Sequence, residues 1–84
     1  MPSKNVIVGS TVGLHARPAA VIAAAAIEYD EPIFLSFGQD SVTASSTLLI
    51  MSLGAEHGAQ VTVESENAEA VERLASLIEQ NLDD

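Results

Sequence analysis

The feature that most constrains the fold is a change of apolar period near the C-terminus. Val71, Leu74, Ala75, Ile78 and Leu82 recur at i, i+3, i+4, i+7 and i+11, the spacing of one face of an α-helix. The opposite face carries Glu69, Glu72, Arg73, Ser76, Glu79 and Gln80, and Glu69 at i with Arg73 at i+4 predicts an ion pair. Just upstream, Val61 and Val63 alternate with Thr62 and Glu64, the period of a half-buried strand. Asn67 stands between the two runs as a candidate N-cap. Each run must bury its apolar side against another element, so helix-on-sheet layering follows. In 84 residues there is room for one domain, spanning 1–84. No cysteine is present, so disulfides, thiolate catalysis, zinc fingers and iron–sulfur clusters are excluded. One hydrophobic core must hold the chain, and 48% apolar residues can supply it.

The remaining elements are read the same way. Lys4 to Gly9, centred on Val6-Ile7-Val8, predicts a strand, and Ser10 to His15 a loop. A helix follows. Pro18 fits its first turn, where a missing N–H leaves no bond unmade. Alanines at 16, 19, 20 and 23 to 26 favour it. Ile22, Ala25, Ala26 and Tyr29 mark its buried stripe, and Pro32 predicts an end near Tyr29-Asp30. Ile33 to Phe37, a turn at Gly38-Gln39-Asp40 and a return over Ser41 to Ala44 predict a hairpin. Ser45, Ser46 and Thr47 are adjacent hydroxyls, any of which could cap a short helix over Thr47 to Leu53 that Gly54 ends. Gln60 to Ser65 is the last strand. The expected fold is an α+β open-faced β-sandwich, β-α-β-β-α-β-α, with three helices on one face of a four-stranded antiparallel sheet.

Three basic residues stand against twelve acidic ones, a net charge of −9. Lys4, Arg17 and Arg73 cannot neutralise a run of phosphates, which argues against nucleic acid and anionic membrane surfaces as partners. The N-terminal Met1-Pro2-Ser3-Lys4-Asn5 has no apolar run behind a basic region, so no leader is expected. The longest apolar run, Pro18 to Ile27, is half of the roughly 20 residues a membrane span needs, so no membrane insertion and a cytoplasmic location are expected. The two histidines lie far apart with no local carboxylate pattern, so no metal site is expected. No Gly-x-x-x-x-Gly-Lys loop is present to bind ATP, and no cofactor is expected.

Chemistry concentrates in Gly13-Leu14-His15-Ala16-Arg17-Pro18-Ala19-Ala20. The first N–H groups of a helix lack intrahelical partners, and the dipole places partial positive charge there, so this end can receive an anion. Arg17 adds a planar cation suited to phosphate oxygens. An imidazole ordinarily titrates near ~6.5, so a histidine offers a neutral nucleophile at pH 7. Its attack on phosphorus gives a phosphohistidine. A solvated loop histidine beside a surface arginine is the plainer reading. Against it, a first-turn cation disfavours the helix by about 0.3–1 kcal/mol, so something other than stability is expected to keep Arg17 there.

At these residues the chain resembles the HPr family, the histidine-containing phosphocarrier proteins of the phosphoenolpyruvate-dependent sugar phosphotransferase system. Gly13 to Ala19 resembles the family's active-site motif. Ser46 to Gly54, ending Ile50-Met51-Ser52-Leu53-Gly54, resembles its second motif. The resemblance covers nearly the whole chain and implies the sheet order 1-4-2-3. It implies that His15 receives a phosphoryl group on Nδ1, the pros nitrogen, from phosphorylated enzyme I and passes it to sugar-specific enzyme IIA domains. Arg17 would hold the phosphoryl oxygens. The chain would be a carrier and not an enzyme by itself. A regulatory branch that serves regulators instead of transporters is the alternative, and a small-molecule-sensing module in which His15 is incidental is a third reading. Ser46 is the position that a separate HPr kinase phosphorylates in some members, although Leu49 stands where such relatives often have glycine.

Many relatives carry lysines on the first helix and around the second. Here Ala24, Ile27 and Leu49 are apolar, which predicts a more hydrophobic docking surface. Ala16, Ala20, Thr47, Leu48 and Met51 are its candidates. A monomer is expected, since two partners must reach that patch in turn. His57, beside Glu56, reads as a surface loop residue that could pair weakly with its neighbour.

Overall fold

Seven elements occur in the expected order in a computed structural model that describes residues 1–82. They are β1 (Ser3–Ile7), α1 (Ala16–Ala26), β2 (Ile33–Phe37), β3 (Asp40–Thr43), α2 (Thr47–Ser52), β4 (Gln60–Ser65) and α3 (Ala68–Glu79). The sheet order is β1-β4-β2-β3 and every pairing is antiparallel. Register settles which side chains face the helices. Val6 opposes Val61, and Val63 opposes Leu35; all four are buried. Asn5, Thr62 and Ser36 share the other face, where the Thr62 hydroxyl donates to Asn5 Oδ1 at 2.7 Å. The two-residue period thus divides the sheet into a covered apolar side and a polar one.

Ile22 of α1, Ile50 of α2, and Leu74 and Ile78 of α3 are fully buried over Leu35, Val61 and Val63. The stripe of α3 is the one expected up to Ile78, and Asn67 caps it, its Oδ1 accepting from Ala70 N at 3.1 Å. Leu82 falls beyond the helix, which ends at Glu79, yet still packs against the core.

Several boundaries differ from expectation. α1 stops at Ala26 and not near Tyr29-Asp30. The amides of Glu28 and Tyr29 bond the carbonyls three residues back, Ala25 and Ala26, each at 3.2 Å, so the chain leaves the helix in a tightened turn. Tyr29 is therefore half-buried after the helix instead of on its stripe, and Ala23 is buried in addition. The expected Glu69–Arg73 pair is replaced. Arg73 holds Glu28 with Nη1–Oε1 at 2.8 Å and Nη2–Oε2 at 3.2 Å, and its guanidinium carbon lies 5.8 Å from the Tyr29 ring centroid. A two-pronged carboxylate contact suits the guanidinium fork better than a single contact one helical turn away. β1 ends at Ile7 because Gly9 leaves the ladder, its N–H donating to Ile78 O at 3.0 Å. A Cβ at Gly9 would overlap the Glu79 carbonyl, so only glycine fits where β1 runs beneath the end of α3. β3 begins one residue early, at Asp40, and Ala44, expected as its last residue, is buried just past it with its N–H on Ile33 O at 2.8 Å.

Candidate functional site

The loop from Ser10 to Leu14 is fastened before it reaches α1. Ser10 is buried. Its hydroxyl donates to Gln80 O at 3.3 Å and accepts from Leu82 N at 3.1 Å. Its carbonyl accepts from Gly13 N at 2.9 Å and faces His57 Nδ1 at 3.2 Å. Gly13 has φ 75°, and a Cβ there would come within 2.6 Å of the Ala55 carbonyl. Both facts require glycine. Leu14 is buried and donates its N–H to the same carbonyl at 2.9 Å. The next residue is therefore delivered to a fixed place.

That residue is His15, the N-cap of α1, with extended backbone (φ −88°, ψ −167°). Its carbonyl accepts from Ala19 N at 2.8 Å, but its ring makes no capping bond. The amides of Ala16 and Arg17 open the helix, where no intrahelical acceptor exists, and Pro18 has no N–H to offer. Val12, His15, Ala16 and Arg17 line a shallow depression at this end. Among the described residues, neither the His15 ring nor the Arg17 guanidinium has a hydrogen-bond or ion-pair partner. The other two Lys and Arg side chains are engaged, Lys4 with Glu72 and Arg73 with Glu28. An exposed imidazole thus stands at the positive end of a helix, two residues from an uncommitted cation. The arrangement can present a nucleophilic nitrogen and hold the oxygens of an anion.

This geometry meets a matching family. Residues 2–80 match the family described as the PTS HPr component phosphorylation site. The chain belongs to the HPr phosphocarrier family. It is 39% identical over 88 residues to the phosphocarrier protein HPr of Streptomyces coelicolor, an alignment that covers 100% of this chain and 95% of that one. Its fold is similar to the crystal structure of an HPr from Bacillus anthracis, with TM-score 0.87 and 35% identity, covering 92% of this chain and 95% of that one. A Thermoanaerobacter tengcongensis HPr structure gives TM-score 0.87 and 34% identity, covering 94% of this chain and 92% of that one.

The other residues singled out in the sequence fall into two groups. Ala16 and Ala20 on α1 and Leu48 on α2 are exposed, while Thr47 and Met51 are half-buried. Met51 also packs against the core. α1 and α2 lie side by side, so these residues share one side of the molecule. Of the three adjacent hydroxyls before α2, Ser46 is the cap, its Oγ accepting from Leu49 N at 3.2 Å. Ser45 Oγ instead meets Thr43 Oγ1 at 3.1 Å. His57 turns its Nδ1 to the Ser10 carbonyl in place of a contact with Glu56. No three His, Asp or Glu side chains among the described residues gather in a way that could hold a metal ion. None of the helices among those residues is long and apolar enough to cross a membrane.

Sequence reasoning missed two contributors. Val12 is exposed beside His15, and its one signal was an apolar residue between Thr11 and Gly13. Ser10 gave no signal, because its bonds reach Gln80 and Leu82, far along the chain.

Proposed function

We propose that this protein is a phosphoryl carrier in which His15 Nδ1 accepts the group from phosphorylated enzyme I and yields it to enzyme IIA domains. The observation that supports this most is the pairing of an uncapped His15 ring with the uncommitted Arg17 at the start of α1. The Nδ1 lone pair attacks phosphorus, and the bond joining phosphorus to the donor breaks as the Nδ1–P bond forms. The phosphoryl oxygens keep their charge throughout. Arg17 and the first α1 amides offset that charge without having to move. Because Ser10, Gly13 and Leu14 fasten the loop from below, the ring keeps its place while donor and acceptor exchange in front of it. Ala16, Ala20, Thr47, Leu48 and Met51 form the surface on which those partners dock.

Incubation with phosphoenolpyruvate and enzyme I tests the reading. One phosphoryl group should be added, stable in base and labile in acid. His15→Ala should abolish the label and His57→Ala should retain it. Labelling that persists in His15→Ala removes the assignment.

A further inference from the structure

The turn that leads to His15 closes on one oxygen. The Ser10 carbonyl accepts from Gly13 N at 2.9 Å, so the chain turns over Thr11 and Val12. His57 Nδ1 lies 3.2 Å from the same oxygen. A carbonyl oxygen has two lone pairs and no proton to give. Both contacts are therefore donations to it, and the His57 ring carries a proton on Nδ1.

The two bonds differ in what they hold. The one from Gly13 lies inside the turn and moves with it. The one from His57 ties the turn to a part of the chain 47 residues away. That part is itself fixed. Gly58 N donates to Val8 O at 3.0 Å, Val8 N to Ala59 O at 2.9 Å, Ala59 N to Glu56 O at 2.9 Å, and Leu14 N to Ala55 O at 2.9 Å. Gly58 has φ 88°, which glycine takes without steric cost. Residues 55–59 are thus bonded through their backbone to the chain on both sides of the turn, at Val8 and at Leu14. The His57 ring supplies a tie between those two points. The Ser10 hydroxyl is held by Gln80 and Leu82, but those bonds fix its side chain. The direction of its carbonyl, and of the peptide that opens the turn, is set by Gly13 N and His57 Nδ1.

Resting on the functional reading above, we infer that His57 is a positioning residue for phosphoryl transfer: its Nδ1–H, bonded to the Ser10 carbonyl, holds the turn that places His15 for attack on phosphorus. His57 takes no phosphoryl group. It acts through Ser10, and the covalent step stays at His15. Transfer is sensitive to such placement, since an error of about 1 Å can cost up to about 10²-fold in rate. His57 belongs to neither α1 nor α2, so its effect falls on the rate within the complex and not on docking.

The test has two arms. Imidazole nitrogen NMR of the 15N-labelled chain at about pH 8, where histidine is neutral, should find the His57 proton on Nδ1. A proton on Nε2, where an unconstrained imidazole prefers it, would overturn the inference. The second arm is single-turnover transfer from phosphorylated enzyme I. His57→Ala should still take its label at His15, with the saturating rate about ten-fold lower and the half-saturating concentration unchanged. Asparagine sets a donor nitrogen where Nδ1 stands, so His57→Asn should bring the rate back to within about three-fold of wild type. A wild-type rate in His57→Ala, an Asn variant as slow as the Ala one, or a loss confined to the half-saturating concentration would each overturn the positioning role. Failure of enzyme I to phosphorylate the wild-type chain is the separate outcome that removes the functional reading.

Discussion

Arg17 contributes little to the fold that carries it. It has no partner among the described residues, and a cation in a helix's first turn opposes the dipole. Arg17→Ala should therefore leave the thermal midpoint within a degree or two, or raise it slightly, while transfer to and from His15 slows by about 10²-fold. Equal transfer rates in mutant and wild type would make Arg17 an ordinary surface residue. At this scale the sequence was legible where chemistry is local. His15, Arg17 and Pro18 are consecutive enough for a helix start to explain them together. It was silent where one side chain bonds residues some seventy positions away, as the Ser10 hydroxyl does. No spacing rule relates such positions.

At the level of elements, α3 was legible almost to the residue, because an amphipathic stripe and an Asn cap are both written in adjacent positions. The end of α1 was not. Its closing turn is drawn by Arg73 on α3 and by the cap residue Asn67, which take Glu28 and Glu31 respectively. That is a tertiary effect, which short-range pattern cannot report. The tie gives a pH prediction. Hydrogen bonding to Arg73, then its charge, holds the Glu28 carboxyl below its ordinary range. A lowered folded pKa contributes stability that is present above the unfolded value and is lost as pH falls through the folded one. Glu28→Gln should thus narrow the gap between stability at pH 7 and at pH 3, measured by chemical unfolding, and an unchanged gap would show that the pair adds nothing. The cap of α2 gives a second prediction. Ser46→Ala should cost about 1 kcal/mol because Leu49 N loses its acceptor, whereas Ser46→Asp should keep the cap and the stability. The aspartate adds charge next to Leu48, so phosphorylation of His15 by enzyme I should be weaker in that variant. Equal rates for wild type and Ser46→Asp would place the docking surface away from α2.

For the molecule as a whole, the period change near the C-terminus, the absence of cysteine and the helix–sheet alternation were enough to reach the α+β sandwich. The order β1-β4-β2-β3 was not among the things spacing could supply, because strand neighbours are chosen by long-range pairing. The same two-layer packing sets the nearly uncharged α1 and α2 side by side in a molecule of net charge −9, and it puts His15 at the head of α1. The account stands on one bond, between phosphorus and His15 Nδ1. Phosphorus–nitrogen correlated NMR on the 15N-labelled protein, after phosphoenolpyruvate and enzyme I, observes that bond directly. A single phosphorus signal coupled to His15 Nδ1 is the predicted result. Coupling to His15 Nε2, to His57, or to no imidazole nitrogen would contradict it.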